Sequence, residues 1–182
     1  MDILAAARQV RLLALDIDGT LTDGKIWIGN DGEIAKSFSV RDGFGITLLK
    51  KAGIQLVIIT GRQSAIVERR AAELGITHVH QGVSNKLDTL KQLGAELGIG
   101  LDEMAFMGDD WPDLAAMQAC ALPVAPSDAV PEVLAVARWV ATARAGDGAL
   151  REFATFLLNS RGEFNTLLDH YRVGRPHTVP RP

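Results

Sequence analysis

A short apolar run at residues 10–15, which ends in two aspartates, is the feature that most constrains the fold. A nearly continuous apolar run of this length is typical of a strand that is buried on both faces of a parallel sheet. Asp16 and Asp18 follow the run and Gly19 breaks it, so both acids belong at the carboxyl end of the strand. Ligands of open α/β sheets bind at that edge, and two adjacent carboxylates there favour a cation such as Mg²⁺. An acidic turn without a ligand is the alternative for this stretch alone.

The rest of the chain alternates between short apolar runs and helical patterns that begin at capping residues and end at glycines. The expected strands after the first are residues 54–60, 77–80, 104–107, 121–125 and 139–141. The expected helices are residues 2–8, 45–52, 65–74, 86–97, 111–118, 132–137, 147–158 and 164–171. This alternation predicts an α/β fold, a three-layer Rossmann-like parallel sheet with helices on both faces.

Residues 25–40 interrupt the alternation and predict a β-hairpin that turns at Asn30, Asp31 and Gly32. A two-stranded hairpin is marginal alone, and this one is too apolar to stand free in water. We therefore expect it to pack on a partner subunit, with packing on its own core as the alternative. We expect one domain over residues 1–171 and an extended, basic, proline-containing tail over residues 172–182.

The bulk composition limits the classes of function. A chain of 182 residues, 47% apolar and 23% charged, suits one ordinary globular domain. Its net charge of -3 gives no reason to expect nucleic-acid binding. The single cysteine, Cys120, excludes an internal disulfide, and no apolar run approaches the length that spans a bilayer. We therefore expect a cytoplasmic protein that binds neither nucleic acid nor membrane.

Polar residues stand at or just past the ends of four predicted strands. They are Asp16 and Asp18, Thr60, Lys86, and the group Asp109, Asp110 and Asp113. The carboxyl ends of parallel strands lie on one edge of a sheet, so these side chains are expected to converge. One carboxylate could attack phosphorus and a second could act as acid and base, while a metal, a cation and a hydroxyl bind the phosphoryl oxygens. The set predicts phosphoryl transfer through an aspartyl phosphate.

The motifs at these positions resemble those of the haloacid dehalogenase-like phosphatases. They are Asp-Ile-Asp-Gly-Thr at 16–20, Thr-Gly-Arg at 60–62, Lys86, and Gly-Asp-Asp-Trp-Pro-Asp at 108–113. Residues 23–24, the hairpin, and residues 40–43, 58–62 and 81–86 resemble the branch that hydrolyses 3-deoxy-D-manno-octulosonate 8-phosphate. The resemblance covers residues 10–158. It implies a capless fold with the hairpin as a flap, since the motifs leave no room for an inserted cap domain.

The resemblance also implies a role for each matched residue. Asp16 would be the nucleophile and a metal ligand, and Asp18 the general acid and base, with its backbone carbonyl on Mg²⁺. Asp109 would be the third ligand, with Asp113 as its partner, and the catalytic set is completed by Thr60 and Lys86. The implied substrate contacts are Asp18, Arg41, Asp42, Gly43, Thr60, Gly61, Arg62, Arg70 and Lys86.

The implied function is Mg²⁺-dependent hydrolysis of this sugar phosphate in lipopolysaccharide synthesis. The implied assembly is a homotetramer in which hairpins associate and a neighbour's tail closes the pocket. Thr47 and Asp147 stand where members often carry arginine, which keeps a nine-carbon ulosonate 9-phosphate as an alternative substrate. A phosphoacceptor signalling domain is the alternative of another class, but it would lack the acid at Asp18. A non-catalytic oligomerisation module would have lost at least one of Asp16, Asp18, Lys86 or Asp109, and all four are present.

Overall fold

A computed structural model of the chain describes residues 2–173. The strands in chain order are β1 Leu12–Leu15, β2 Trp27–Gly29, β3 Gly32–Ala35, β4 Gln55–Ile59, β5 His78–His80, β6 Met104–Met107, β7 Leu122–Ala125 and β8 Trp139–Val140. The helices are α1 Ile3–Gln9, α2 Val40–Lys51, α3 Ala65–Leu74, α4 Lys86–Leu97, α5 Leu114–Ala119, α6 Pro131–Val136, α7 Ala149–Ser160 and α8 Phe164–Arg172. Two short 3₁₀ helices cover Leu101–Glu103 and Trp111–Asp113.

Six strands form one parallel sheet in the order β5-β4-β1-β6-β7-β8, with β1 at its centre. Every residue of β1 is buried, and its side chains alternate between the two faces of the sheet. Leu13 and Leu15 pack with apolar residues of α2 and α7, whereas Leu12 and Ala14 pack with those of α4 and α5. The predicted three-layer α/β fold is therefore confirmed.

Most elements lie within two residues of the expected bounds, and the larger or structural differences are at α2, at residues 111–118 and at α8. Helix α2 begins at Val40 rather than at residue 45, because the Ser39 hydroxyl accepts hydrogen bonds from the N–H groups of Arg41 and Asp42. The expected helix at 111–118 is instead a 3₁₀ turn followed by α5. Helix α8 includes Arg172, which the sequence had placed in the tail, and the rest of that tail from residue 174 lies outside the described residues.

The hairpin forms as an antiparallel pair, β2 with β3, and an isolated bridge between Thr22 and Phe38 closes its base. Phe38 packs against the core. Trp27, Ile28 and Ile34 are 62%, 73% and 64% exposed, so the hairpin leaves large apolar side chains in solvent. Across the described residues, no helix combines the length and the apolar character that crossing a membrane requires.

Candidate active site

The centre of the sheet brings three predicted site residues to one edge. Strand β1 lies between β4 and β6, so Asp16, Thr60 and Asp109 follow three neighbouring parallel strands. The N–H of Asp16 donates to the carbonyl of Met107 at 3.0 Å and so continues the pairing of β1 with β6. The chain leads from β1 to β4 on one side and from β6 to β7 on the other, so β1 and β6 flank the usual ligand crevice of an open α/β sheet.

The loop after β1 is a tight turn around one carbonyl. The Ile17 carbonyl accepts hydrogen bonds from the N–H groups of Thr20, Leu21 and Thr22 at 3.1, 2.9 and 3.0 Å. Gly19 adopts a φ of 93°, and a Cβ there would lie 2.1 Å from Asp109 Oδ2. The Thr20 hydroxyl donates to Asp109 Oδ1 at 2.8 Å. Glycine at this position therefore lets the Asp109 carboxylate approach the first loop.

Lys86 supplies a buried positive charge beside the predicted nucleophile. It is 5% exposed at the start of α4, and its Nζ lies 2.8 Å from Asp16 Oδ1 and 2.6 Å from Asp113 Oδ1. Burial would lower the pKa of Lys86, but the charges of Asp16 and Asp113 outweigh it and the pKa is raised. Lys86 therefore stays protonated through the neutral pH range.

Asp113 holds both Lys86 and the loop after β6. It is 1% exposed, and its second oxygen accepts hydrogen bonds from the N–H groups of Asp109 and Asp110 at 3.0 and 3.3 Å. A Cβ at Gly108 would lie 2.5 Å from the Asp113 side chain, so a glycine is needed there. Both carboxylate oxygens of Asp113 are thus engaged, and the residue is suited to orienting its neighbours.

Three carboxylates crowd at this point and fit a hard divalent cation. One oxygen from each of Asp16, Asp109 and Asp113 lies within 4.8 Å of the others. Burial, with the charge of Asp113, raises the pKa of Asp16 from 3.8 to about 6. Burial, with the charges of Asp16 and Asp113, raises the pKa of Asp109 to about 7. Neighbouring carboxylates repel one another when all are ionised, and a bound Mg²⁺ would offset that repulsion because it prefers oxygen ligands. Since Asp113 is already engaged, Asp16 and Asp109 are the side chains available to the ion.

Asp18 lies beside the cluster with its side chain 16% exposed. Lys36 of the hairpin pairs with Asp18 Oδ1, and Arg62 Nε lies 3.7 Å from Asp18 Oδ2. Lys36 is not among the predicted site residues, because a lysine in a hairpin usually marks a solvated strand face. Its side chain is completely buried, and that observation, rather than any sequence pattern, reveals it.

The remaining predicted substrate residues differ in their surroundings. Arg41 and Gly61 are exposed. Asp42 is 2% exposed, and its oxygens accept hydrogen bonds from the N–H groups of Gly148 and Arg151 at 3.1 and 2.9 Å, so it joins α2 to the start of α7. Gly43 lies against Arg70, since a Cβ there would be 2.6 Å from Arg70 Nη2.

The two departures from the family pattern lie near these residues. The Thr47 hydroxyl donates to the Gly43 carbonyl at 3.1 Å, one turn back in α2. Asp147 is exposed in a loop whose Gly146 N–H donates to the Thr20 carbonyl at 3.3 Å. That loop therefore packs directly on the loop after β1, and Asp147 adds a negative charge to it.

Similarity to known proteins agrees with this geometry. The profile of the haloacid dehalogenase-like hydrolase family matches residues 78–153. The 3-deoxy-D-manno-octulosonate 8-phosphate phosphatase KdsC of Escherichia coli (strain K12) is 44% identical over 164 residues, which cover 90% of this chain and 87% of that protein.

Two solved structures extend the comparison. The 3-deoxy-D-manno-octulosonate 8-phosphate phosphatase from Moraxella catarrhalis, in complex with magnesium, phosphate and KDO, is 40% identical with a TM-score of 0.90. The match covers 93% of this chain and 97% of that one. The cobalt-bound phosphatase YrbI from Haemophilus influenzae is 35% identical with a TM-score of 0.86, over 88% of this chain and 94% of that one. The present chain therefore belongs to the haloacid dehalogenase-like hydrolases, in the group of 3-deoxy-D-manno-octulosonate 8-phosphate phosphatases.

Proposed function

We propose that the chain is a Mg²⁺-dependent phosphatase that hydrolyses 3-deoxy-D-manno-octulosonate 8-phosphate to the free sugar and phosphate, in lipopolysaccharide synthesis. The observation that carries the proposal is the buried cluster of Asp16, Lys86, Asp109 and Asp113 beside Asp18 at the carboxyl edge of the sheet. Phosphoryl transfer through an aspartyl phosphate needs a nucleophile, a cation and an acid, and this cluster, with Asp18, contains all three. Relatives of that activity at 44% identity support the choice of substrate.

In the first step, Asp16 attacks phosphorus and forms an acyl phosphate as the bond from phosphorus to the sugar oxygen breaks. Mg²⁺ would be held by Asp16, Asp109 and the backbone carbonyl of Asp18. There it would reduce the repulsion between the Asp16 carboxylate and the substrate phosphate. Lys86 stays charged beside Asp16 and is placed to bind a phosphoryl oxygen. The Thr60 hydroxyl, at the end of β4, is assigned to another phosphoryl oxygen.

Asp18 carries the proton in both steps. In its protonated form it donates a proton to the departing sugar oxygen, which leaves as an alcohol. The resulting carboxylate then takes a proton from a water molecule, whose oxygen attacks phosphorus and releases Asp16. Asp18 is protonated again at the end, so the cycle closes without any other acid.

We assign recognition of the acid sugar to three arginines among the predicted substrate contacts. A sugar carboxylate suits the paired donors of a guanidinium group. The arginines of this set are Arg41, Arg62 and Arg70. Gly43 leaves room for the Arg70 guanidinium group, and Gly61 precedes Arg62. Asp42 acts here by holding α2 against α7, since its oxygens are already bonded.

We propose that the chain forms a homotetramer through its hairpins. The exposed Trp27, Ile28 and Ile34 support this assembly, because apolar patches of this kind mark interfaces. Sedimentation of Ile28→Asp at micromolar concentration should show smaller species than the parent, while Leu4→Asp, on the partly exposed face of α1, should keep the parent's assembly. A parent protein that sediments as a monomer would refute the proposal.

We also assign the protein to the cytoplasm. Cys120 is the single cysteine and is buried, so no internal disulfide calls for an oxidising compartment.

Phosphate release from a panel of sugar phosphates tests the function. The panel contains the eight-carbon 8-phosphate, a nine-carbon ulosonate 9-phosphate and a hexose 6-phosphate, each with Mg²⁺ and with excess chelator. We expect Mg²⁺-dependent release with a clear preference for the first. Preference for the nine-carbon substrate would replace the substrate assignment, and no release from any compound would refute the phosphatase.

A further inference from the structure

We infer that Lys36 is a positioning residue of the reaction centre, which fixes the carboxylate of Asp18 so that one oxygen is left for proton transfer. The inference rests on the proposed function, because it assigns the proton-carrying role to Asp18. Lys36 contacts Asp18 itself, so it acts through that carboxylate.

The burial of Lys36 is the first observation. Its side chain is 0% exposed although it follows β3 of a hairpin whose apolar residues are in solvent. A buried ammonium group is unfavourable unless it is paired. Lys36 Nζ has two partners, Asp18 Oδ1 and, at 3.1 Å, Glu33 Oε1. The two carboxylates together define where the ammonium group lies.

Glu33, the second partner of Lys36, carries a charge. Burial would raise the pKa of Glu33, but a hydrogen bond with Ser64 and the charges of Lys36 and Arg62 lower it, so Glu33 stays ionised. Glu33 is therefore a charged partner for the Lys36 ammonium group, opposite Asp18.

The two oxygens of Asp18 are consequently unequal. Oδ1 is paired with Lys36, whereas Oδ2 is buried and has no hydrogen-bond partner among the described residues, with Arg62 Nε at 3.7 Å. The terminal torsion of an aspartate is broad, so a carboxylate without partners would rotate about it. Lys36 holds one oxygen, which fixes the plane of the carboxylate and leaves Oδ2 for the departing alcohol and then the water.

Three variants and three substrates test this role. The variants are Lys36→Met, which keeps the length without the charge, Lys36→Arg, which restores a cation, and Lys25→Met as the matched control. Lys25 precedes the same hairpin but is exposed, with Asp23 at 3.8 Å. The substrates are the acid-sugar phosphate, a hexose 6-phosphate and p-nitrophenyl phosphate, whose phenolate leaves without a proton. Mg²⁺ affinity is measured by calorimetry for each variant, as a readout independent of turnover.

We expect Lys36→Met to lower kcat/KM for both sugar phosphates on the order of 10- to 100-fold, a part of what general acid catalysis contributes. The value for p-nitrophenyl phosphate should change less than about 3-fold, because its leaving group needs no acid. Lys36→Arg should recover part of the loss, while Lys25→Met and the Mg²⁺ affinities should match the parent.

Other outcomes overturn the inference. A parallel fall for all three substrates would make Lys36 a general structural support of the hairpin. A raised KM for the acid sugar alone, with the hexose phosphate unaffected, would make it a ligand of the sugar carboxylate. The parent protein separates these from failure of the proposed function, because a parent without Mg²⁺-dependent release from any sugar phosphate would refute the phosphatase itself.

Discussion

Asp113→Asn is expected to destabilise the protein strongly, although it changes only one atom of a side chain. Asp113 accepts from Lys86 Nζ at 2.6 Å with one oxygen and from the N–H groups of Asp109 and Asp110 with the other. An asparagine has one acceptor oxygen, so in either orientation its NH₂ group faces donors. Either Lys86 or the loop after β6 therefore loses its partner.

The size of the effect follows from these contacts. A hydrogen bond to a charged group contributes about 1.5 to 3 kcal/mol, and a buried donor left without a partner costs about 1 to 3 kcal/mol. The contacts overlap, so we expect a net cost of about 2 to 4 kcal/mol. For a chain of this size that lowers Tm by about 4 to 16 °C.

Urea unfolding in saturating Mg²⁺ measures this cost, because the ion already offsets the repulsion among the acids. Asp110→Asn is the matched control: Asp110 is exposed and accepts from the N–H of Trp111 at 2.7 Å, and asparagine caps as well as aspartate. We expect the control to lie within about 0.5 kcal/mol of the parent. If Asp113→Asn is as stable as the parent, Asp113 does not hold Lys86 and the loop after β6 together.

Three further changes test the metal site and its loops. Gly19→Ala should abolish measurable Mg²⁺ binding by calorimetry, because its Cβ would lie 2.1 Å from Asp109 Oδ2, whereas Gly32→Ala, also at positive φ but with open space around it, should keep the affinity. Thr20→Val should weaken Mg²⁺ binding about 10- to 100-fold, since it removes the hydroxyl that orients Asp109 at 2.8 Å; an unchanged affinity would refute that role. In chelator, the free energy of unfolding should fall as pH rises from about 4 to about 7, because the raised pKa values, about 6 for Asp16 and about 7 for Asp109, let the folded state keep protons that the unfolded state releases. Added Mg²⁺ should therefore raise Tm more at about pH 8 than at about pH 5, and a metal-free protein that gains stability over this range would contradict the raised pKa values.

The sheet could be predicted from the sequence because each strand and helix has a local pattern that recurs along the chain. The runs that became β1 and β4 are continuous and apolar, and a capping residue or glycine bounds most helices, as Ser64 and Gly75 bound α3. The first turn of α2 was missed, since two glycines within residues 43–45 mask a helix that depends on the Ser39 cap.

The candidate site was predictable where residues follow strand ends, because topology alone brings Asp16, Thr60 and Asp109 to one edge. The surroundings of the other residues depend on contacts between distant segments. Lys36 reaches Asp18 through the fold of the hairpin, and Asp42 bonds to the start of α7, more than a hundred positions away. Neither contact has a periodicity or a spacing that a sequence displays.

Trapping the phosphorylated enzyme tests the central claim, that Asp16 is the nucleophile, most directly. Asp18→Asn is mixed with Mg²⁺ and p-nitrophenyl phosphate, which can phosphorylate the enzyme without an acid, and is then reduced with borohydride. Mass spectrometry of the peptide that contains residue 16 should show homoserine in place of Asp16, because borohydride reduces an acyl phosphate and leaves a free carboxylate intact. Release of p-nitrophenol with an intact Asp16, or with homoserine at another aspartate, would contradict the account.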